Sequence, residues 1–260
     1  MMPTTTTTIQ LTLIRIEGYG PWTMTLGNDR EHELQMLQAK LYGDLQMQFS
    51  KRKGLVFFNR FDEMFAVTNG ISAQEHLEIL KLLSTAYDLD VSMSIGRGRT
   101  PYEAHLNAHA ARGGETLDGK FRVYGSAATT AGDSQDTAQI MHVDVDGSTS
   151  DVSLKLSPYR VSSLIMNLYA KLTEAFIPKG ALTFFLGGDN FMVVSNGVSR
   201  DDADALLSSV TEGMDIRLKC GIGRAKTARE AARLATEALD AVRDMRKTGK
   251  AAQVIELSCL

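Results

Sequence analysis

Cysteine is nearly absent from this chain: 260 residues hold two, Cys220 and Cys259. That is too few for a disulfide framework, a zinc knuckle or a CxxC redox pair, and it points to a reducing, cytoplasmic setting. Long apolar runs are also missing. No stretch approaches the roughly 18 uninterrupted apolar residues of a transmembrane helix. The opening Met1-Met2-Pro3, followed by five threonines, has neither the basic nor the apolar region of a signal peptide. Nor is there an excess of one charge: 28 Lys+Arg stand against 31 Asp+Glu, a net charge of -3. Such a balance gives no global attraction to nucleic acid or to an anionic membrane, so neither is expected as a partner. Any phosphate-bearing ligand must be held by local charge or by bound cations. The five histidines show no HExxH spacing, and the chain has no Walker-A loop and no GxSxG elbow. Zinc hydrolysis, P-loop chemistry and serine-hydrolase chemistry are therefore disfavoured.

What is present is a duplication. Residues 54–72 align without gaps on 181–199, matching at eight of 19 positions, and residues 91–108 align on 218–235 at seven of 18. Both blocks share an offset of 127. A period this long means two copies of a whole fold, not a solenoid of small units. The lapse of hydrophobic periodicity near 125–137 puts the boundary there, with domains at 1–130 and 131–260.

Each copy alternates strand and helix periods in the same order. In the first copy a strand at 9–17 precedes a helix at 29–49. A hairpin follows, 54–60 and 63–69, meeting at Phe61-Asp62. A capping box at Ser72-Ala73-Gln74-Glu75 starts the next helix, then come a strand at 91–95 and a helix from Thr100. The second copy repeats this as strand 139–145, helix 158–177, hairpin 181–197, helix 200–212, strand 216–222 and helix 227–246. The order βαββαβ plus a helix predicts an α+β protein of two tandem ferredoxin-like, palm-type domains. Each would be an antiparallel sheet with helices on one face.

In that fold the first and third strands are antiparallel neighbours, so the end of the first lies beside the hairpin turn that begins the third. Asp144 and Asp189 occupy those places in the second copy, and the offset of 127 equates them with Glu17 and Asp62 in the first. An Asp in a tight turn is by itself a turn former. Four acids at matching places favour a metal role, since like charges crowd together only around a cation, and hard oxygen ligands suit Mg²⁺. Arg243, late in the last helix, and Arg97 and Arg224, after the Ile-Gly pairs, are candidates for a triphosphate, with Asn190 beside Asp189 as a further substrate contact. The glycines of these Ile-Gly segments either admit a close backbone approach or end the strand.

Gly187-Gly188-Asp189-Asn190-Phe191 with Asp144-Val145-Asp146 resembles the GGDEF and class III cyclase group. A fuller likeness spans nearly the whole chain: Glu17-Gly18-Tyr19-Gly20-Pro21-Trp22-Thr23, Lys53-Gly54-Leu55-Val56-Phe57, Arg60-Phe61-Asp62, Thr100-Pro101-Tyr102-Glu103-Ala104, His142-Val143-Asp144 and Gly187-Gly188-Asp189-Asn190-Phe191-Met192 are similar to the archaeal GTP cyclohydrolase III family. The resemblance implies that GTP is opened at C8 of its imidazole ring, that the formyl group is retained, and that phosphate is released. It implies Mg²⁺ as cofactor, K⁺ as activator, Asp144 and Asp189 as catalytic residues, and a homo-oligomer, dimer or tetramer. The first strand departs from the family pattern, with Glu17-Gly18 in place of Asp-Asn. A nucleotidyl cyclase and a non-catalytic nucleotide sensor are the competing expectations.

Overall fold

The computed structural model describes residues 7–127, 136–146, 156–214, 216–247 and 252–260. The boundary expected at 130/131 lies outside them. The chain divides into two compact units, Met1–Gly98 with Glu103–Asp136, and Arg99–Tyr102 with Thr137–Leu260.

The first unit runs β1 (Ile9–Ile16), α1 (Tyr19–Thr25), α2 (Glu31–Lys51), β2 (Leu55–Arg60), β3 (Glu63–Val67), α3 (Ala73–Ala86), β4 (Val91–Gly98), α4 (Pro101–Ala111) and β5 (Val123–Tyr124). The second runs β6 (Ala138–Asp146), α5 (Pro158–Phe176), β7 (Leu182–Gly187), β8 (Asn190–Val194), α6 (Arg200–Val210), β9 (Arg217–Ala225), α7 (Ala228–Lys247) and β10 (Val254–Cys259). Their sheets have the same order, β2-β3-β1-β4-β5 and β7-β8-β6-β9-β10. The first four strands of each pair antiparallel, as expected, and β5 and β10 add an unexpected parallel edge beside β4 and β9.

Alternation along the strands sends one set of side chains into each core. Ile14 and Ile16 join Leu41, Leu45 and Phe49 of α2 and Leu77 and Leu80 of α3. Met141, Val143 and Val145 join Leu168 and Leu172 of α5 and Leu207 of α6. The predicted capping box closes: Ser72 Oγ accepts the Glu75 N–H at 3.2 Å, and a Glu75 carboxylate oxygen accepts the Ser72 N–H at 2.8 Å.

The expectation that every helix covers one face is overturned. α4 and α7 lie on the opposite face, and glycine is the reason. A Cβ on Gly96 would stand 2.3 Å from the Ala104 carbonyl oxygen, and one on Gly223 would stand 2.0 Å from that of Ala231. The Ile-Gly segments therefore serve a close approach of helix backbone to strand backbone, a contact that no other residue permits.

The repeat also carries a slip. Gln10 donates its side-chain amide to the Ile71 carbonyl at 2.9 Å, and Gln139 does the same to Val198 at 2.7 Å. Ile71 and Val198 are 127 apart, whereas Gln10 and Gln139 are 129 apart. The strand registers agree: Arg15 pairs with Glu63 as Asp144 pairs with Asn190. Asp144 is thus matched by Arg15, and Glu17 is level with Asp146. The equation of Glu17 with Asp144 is corrected accordingly.

Candidate functional site

On β6 the side chains of His142 and Asp144 point away from the α5–α6 core, toward α7. Asp144 is 3% exposed, with Asn190 opposite on β8 and Lys219 opposite on β9. One carboxylate oxygen, Oδ2, receives both Lys219 Nζ at 3.1 Å and Arg243 Nη2 at 2.7 Å. Arg243 also donates Nη1 to Asp240 at 2.7 Å. Its hydrogen bond to Asp144, in first place, raises its pKa against the opposing effect of burial. A buried carboxylate is thus balanced by two cations, as a charge withdrawn from water requires.

Beside it is the β7–β8 turn. Gly187 and Gly188 hold φ of 110° and 61°, a left-handed backbone that glycine adopts without strain. This lets the chain reverse within Gly188-Asp189. Asn190 then donates Nδ2 to Asp189 Oδ1 at 3.0 Å, and its own Oδ1 lies 3.0 Å from His142 Nε2. The other ring nitrogen, Nδ1, lies 3.2 Å from Thr236 Oγ1 on α7. Burial lowers the His142 pKa, against the raising effects of the Asn190 hydrogen bond and the Asp144 charge.

The first unit builds the same edge differently. Arg15 stands where Asp144 stands and faces Glu63 at 3.7 Å, while Ser92 replaces Lys219. Glu17 turns toward β4, accepting from Ser92 Oγ at 2.7 Å and Arg112 Nη2 at 2.9 Å. Burial raises the Glu17 pKa, but those two hydrogen bonds and the charges of Arg112 and Arg15 outweigh it, and the net shift is downward. Asp62 lies on the β3 side of β1, its carbonyl accepting from Ile16 N at 2.9 Å and its carboxylate 3.3 Å from Arg60. The structure thus sets two bonded groups side by side at one sheet edge, Lys219–Asp144–Arg243 and Asp189–Asn190–His142, with Asp144 and Asn190 as cross-strand neighbours, and it sets Glu17 and Asp62 on opposite sides of β1.

Arg224 and Arg97 are elsewhere. Arg224 pairs with Gln139, five residues along β9 from Lys219, which is roughly 17 Å at about 3.3 Å per residue. Arg224 binds Glu256 at 2.8 Å, and Arg97 binds Asp136 at 2.6 Å at the matching end of β4. The structure does not bring these two expected triphosphate contacts to Asp144 and Asp189: both are ion-paired at the far ends of their strands. Sequence reasoning missed Lys219, whose signal is a lysine between the buried Leu218 and Cys220, and it gives His142 no role beyond its place in the His142-Val143-Asp144 likeness.

Among the described residues no three His, Cys, Asp or Glu gather closely enough to hold a metal by themselves. The donor chemistry still fits Mg²⁺, which is ordinarily held by one or two carboxylates with the remainder from water and substrate phosphates. Asp144, near the end of β6, and Asp189, in the turn that opens the adjacent β8, are such carboxylates.

Against known proteins, the family model described as GTP cyclohydrolase III matches residues 10–256. A protein named GTP cyclohydrolase III from Methanothermobacter thermautotrophicus is 40% identical over 238 residues, 90% of this chain and 94% of that protein. One of the same name from Methanobrevibacter smithii is 38% identical over 91% of this chain and 94% of its own. GTP cyclohydrolase III 1 of Halobacterium salinarum is 35% identical over 92% and 95%. Among solved structures, the GGDEF domain of PA1120 from Pseudomonas aeruginosa aligns on 48% of this chain and 83% of its own, at 17% identity and a TM-score of 0.38. That likeness is too slight to bear on the chemistry.

Proposed function

The chain belongs to the GTP cyclohydrolase III family, and from that premise we propose that it is a hydrolase of GTP that opens the imidazole ring. Water adds at C8, the formyl group stays on the product, and two phosphates leave, giving a formylaminopyrimidine ribonucleotide monophosphate. The observation that carries this reading is the family match over residues 10–256, a span that takes in both hairpin tips.

In this reading Asp144 and Asp189 are the residues that would hold Mg²⁺. A bound ion would supply polarisation of a phosphoryl group and of a coordinated water. The chain's own residues do the rest of the positioning. Arg243 is divided between Asp144 and Asp240, and its side chain is 39% exposed. It can turn to an incoming phosphate while Lys219, 13% exposed, stays with Asp144. Asn190 fixes the Asp189 carboxylate from the neighbouring strand end. Glu17 and Asp62 are the acids of the first unit that the same reading offers to metal. Because Arg15 takes the register of Asp144, catalysis is assigned to the second unit. K⁺ activation, homo-oligomer formation and a cytoplasmic setting belong to the same proposal, supported by the family resemblance.

Incubating the purified protein with GTP and Mg²⁺ tests it by ultraviolet spectrum and mass. Loss of purine absorption with a ring-opened monophosphate is expected. A cyclic nucleotide would make the protein a cyclase, and unchanged GTP would make it a sensor.

A further inference from the structure

We propose that His142 is a positioning residue for Asp189, acting through the side-chain amide of Asn190. This rests on the reading of Asp189 as a carboxylate that faces the substrate's phosphates.

The polarity of the contacts fixes each partner's role. A carboxylate only accepts, so Asn190 must face Asp189 with its NH₂, as the 3.0 Å Nδ2–Oδ1 contact has it. Its carbonyl oxygen is then turned to His142, and since that oxygen only accepts, the proton of the ring sits on Nε2. In the neutral ring Nδ1 is bare and accepts from the Thr236 hydroxyl. That hydroxyl has the Ala232 carbonyl, 3.1 Å away, as its alternative partner. The two donors between the ring and the turn point the same way, from His142 through Asn190 to the hairpin carboxylate, with Thr236 of α7 against the far ring nitrogen.

The hairpin needs such a tie. Gly187 and Gly188 leave the tip with two consecutive residues of high backbone freedom. A carboxylate placed by torsionally soft backbone samples many positions, and a misplacement of about 1 Å at a reacting centre costs on the order of 10²-fold in rate. The anchor itself is stiff. Thr236 rides on α7, whose backbone is pressed against Gly221 and Gly223 so closely that no Cβ fits between them.

The first unit has neither part. Leu13 stands at the register of His142, Glu63 at that of Asn190, and the tip Phe61-Asp62 turns without a left-handed residue. Glycine flexibility and the histidine tie occur together in the second unit, which is the pattern expected if one compensates the other.

The test compares His142→Leu, which installs the first unit's residue, with His142→Gln, whose amide retains a donor, and with Asn190→Leu. His142→Leu and Asn190→Leu should each lower kcat about 10²-fold while KM for GTP moves less than about threefold, and the double variant should be no slower than either. His142→Gln should recover most of the loss. Circular dichroism checks folding; if His142→Leu unfolds, the Gln variant and Asn190→Leu still decide. On the ligand-free wild-type protein, nitrogen-15 NMR of the histidine rings should show His142 as the Nε2–H tautomer, with that preference lost in Asn190→Leu. A kcat within twofold of wild type for His142→Leu, multiplicative effects of the two single variants, or an Nδ1–H tautomer would overturn the proposal. If the wild-type protein opens no GTP, the functional reading fails, and the tautomer measurement alone judges the hydrogen-bonded chain.

Discussion

Asp144 and Asp189 have the same chemistry and opposite surroundings, so neutralising each should have a different cost. Asp144→Asn leaves Lys219 and Arg243 facing each other without their anion inside a nearly closed site. Breaking a buried pair costs about 3–5 kcal/mol, and the partial exposure of Arg243 and its second partner Asp240 reduce this to about 2 kcal/mol. Asp189→Asn sits at a hairpin tip where Asn accepts the same geometry, and stability should stay within about 0.5 kcal/mol. Both variants should lose GTP turnover at saturating Mg²⁺; denaturant midpoints read the difference in stability, and normal turnover in Asp189→Asn would reduce that residue to a turn former. A second residue-scale effect lies in the first unit, away from the site. His76 is fully buried, with Nδ1 2.7 Å from the Ser72 carbonyl and Nε2 2.8 Å from the Thr12 hydroxyl. Burial, as the largest cause, drives its pKa down from 6.5 to about 4. Between those values the unfolded chain binds a proton that the folded one refuses, so stability is complete above pH 6.5 and is lost as the pH falls toward 4. At about 1.4 kcal/mol per pH unit the loss reaches about 3 kcal/mol. Urea unfolding at pH 7 and pH 4.5 should therefore give a smaller difference for His76→Gln than for the wild-type protein; equal differences would show that His76 does not carry this part of the acid sensitivity.

At the scale of elements, the seating of α7 on β9 decides whether Arg243 and Thr236 reach the site. A Cβ on Gly221 would lie 2.0 Å from the Ala235 carbonyl oxygen and 2.3 Å from Leu239 N, backbone atoms that cannot rotate aside. Gly221→Ala should lift the helix at a cost of about 3 kcal/mol and reduce turnover along with stability. Gly43→Ala is the control. Gly43 lies within α2 with nothing near its missing Cβ, so alanine there should stabilise by about 1 kcal/mol through helix propensity. Thermal unfolding of the two variants checks the contrast, and a Gly221→Ala protein as stable as wild type would mean that the helix is not held by this contact. These glycines also show what the sequence could and could not tell. Hairpins, helices and their order were readable because apolar periodicity and the Ser72 cap are local signals. The face taken by α4 and α7 was not, because Gly96 and Gly223 look the same whether they end a strand or receive a helix. The register of β1 was hidden for a sharper reason: a slip of two residues keeps every side chain on its own face, so the hydrophobic pattern is unchanged and only long-range bonds such as Gln10 to Ile71 reveal it. Of the site, Asp144, Asp189, Asn190 and Arg243 were legible from strand order, whereas Lys219 and His142 needed the cross-strand pairs.

At the scale of the whole molecule, charge is nearly balanced, and much of the positive charge already has a protein partner. Arg15 faces Glu63, Arg97 faces Asp136, Arg112 faces Glu17, Arg224 faces Glu256, and Lys219 and Arg243 share Asp144. With a net charge of -3, the protein has no long-range field to draw in a triphosphate that carries about four negative charges. Binding must act at contact distance, through divalent ions that bridge carboxylates and phosphates. Removing divalent metal with EDTA should therefore abolish detectable GTP binding in calorimetry. Raising monovalent salt should weaken it only modestly, since screening acts on separated surface charges far more than on ligands in contact, and potassium should raise turnover if the activation proposed above holds. The opposite result is equally clear. Tight binding that persists in EDTA and fades with salt would mean that arginines released from their carboxylates hold the triphosphate, and the assignment of metal to Asp144 and Asp189 would fall.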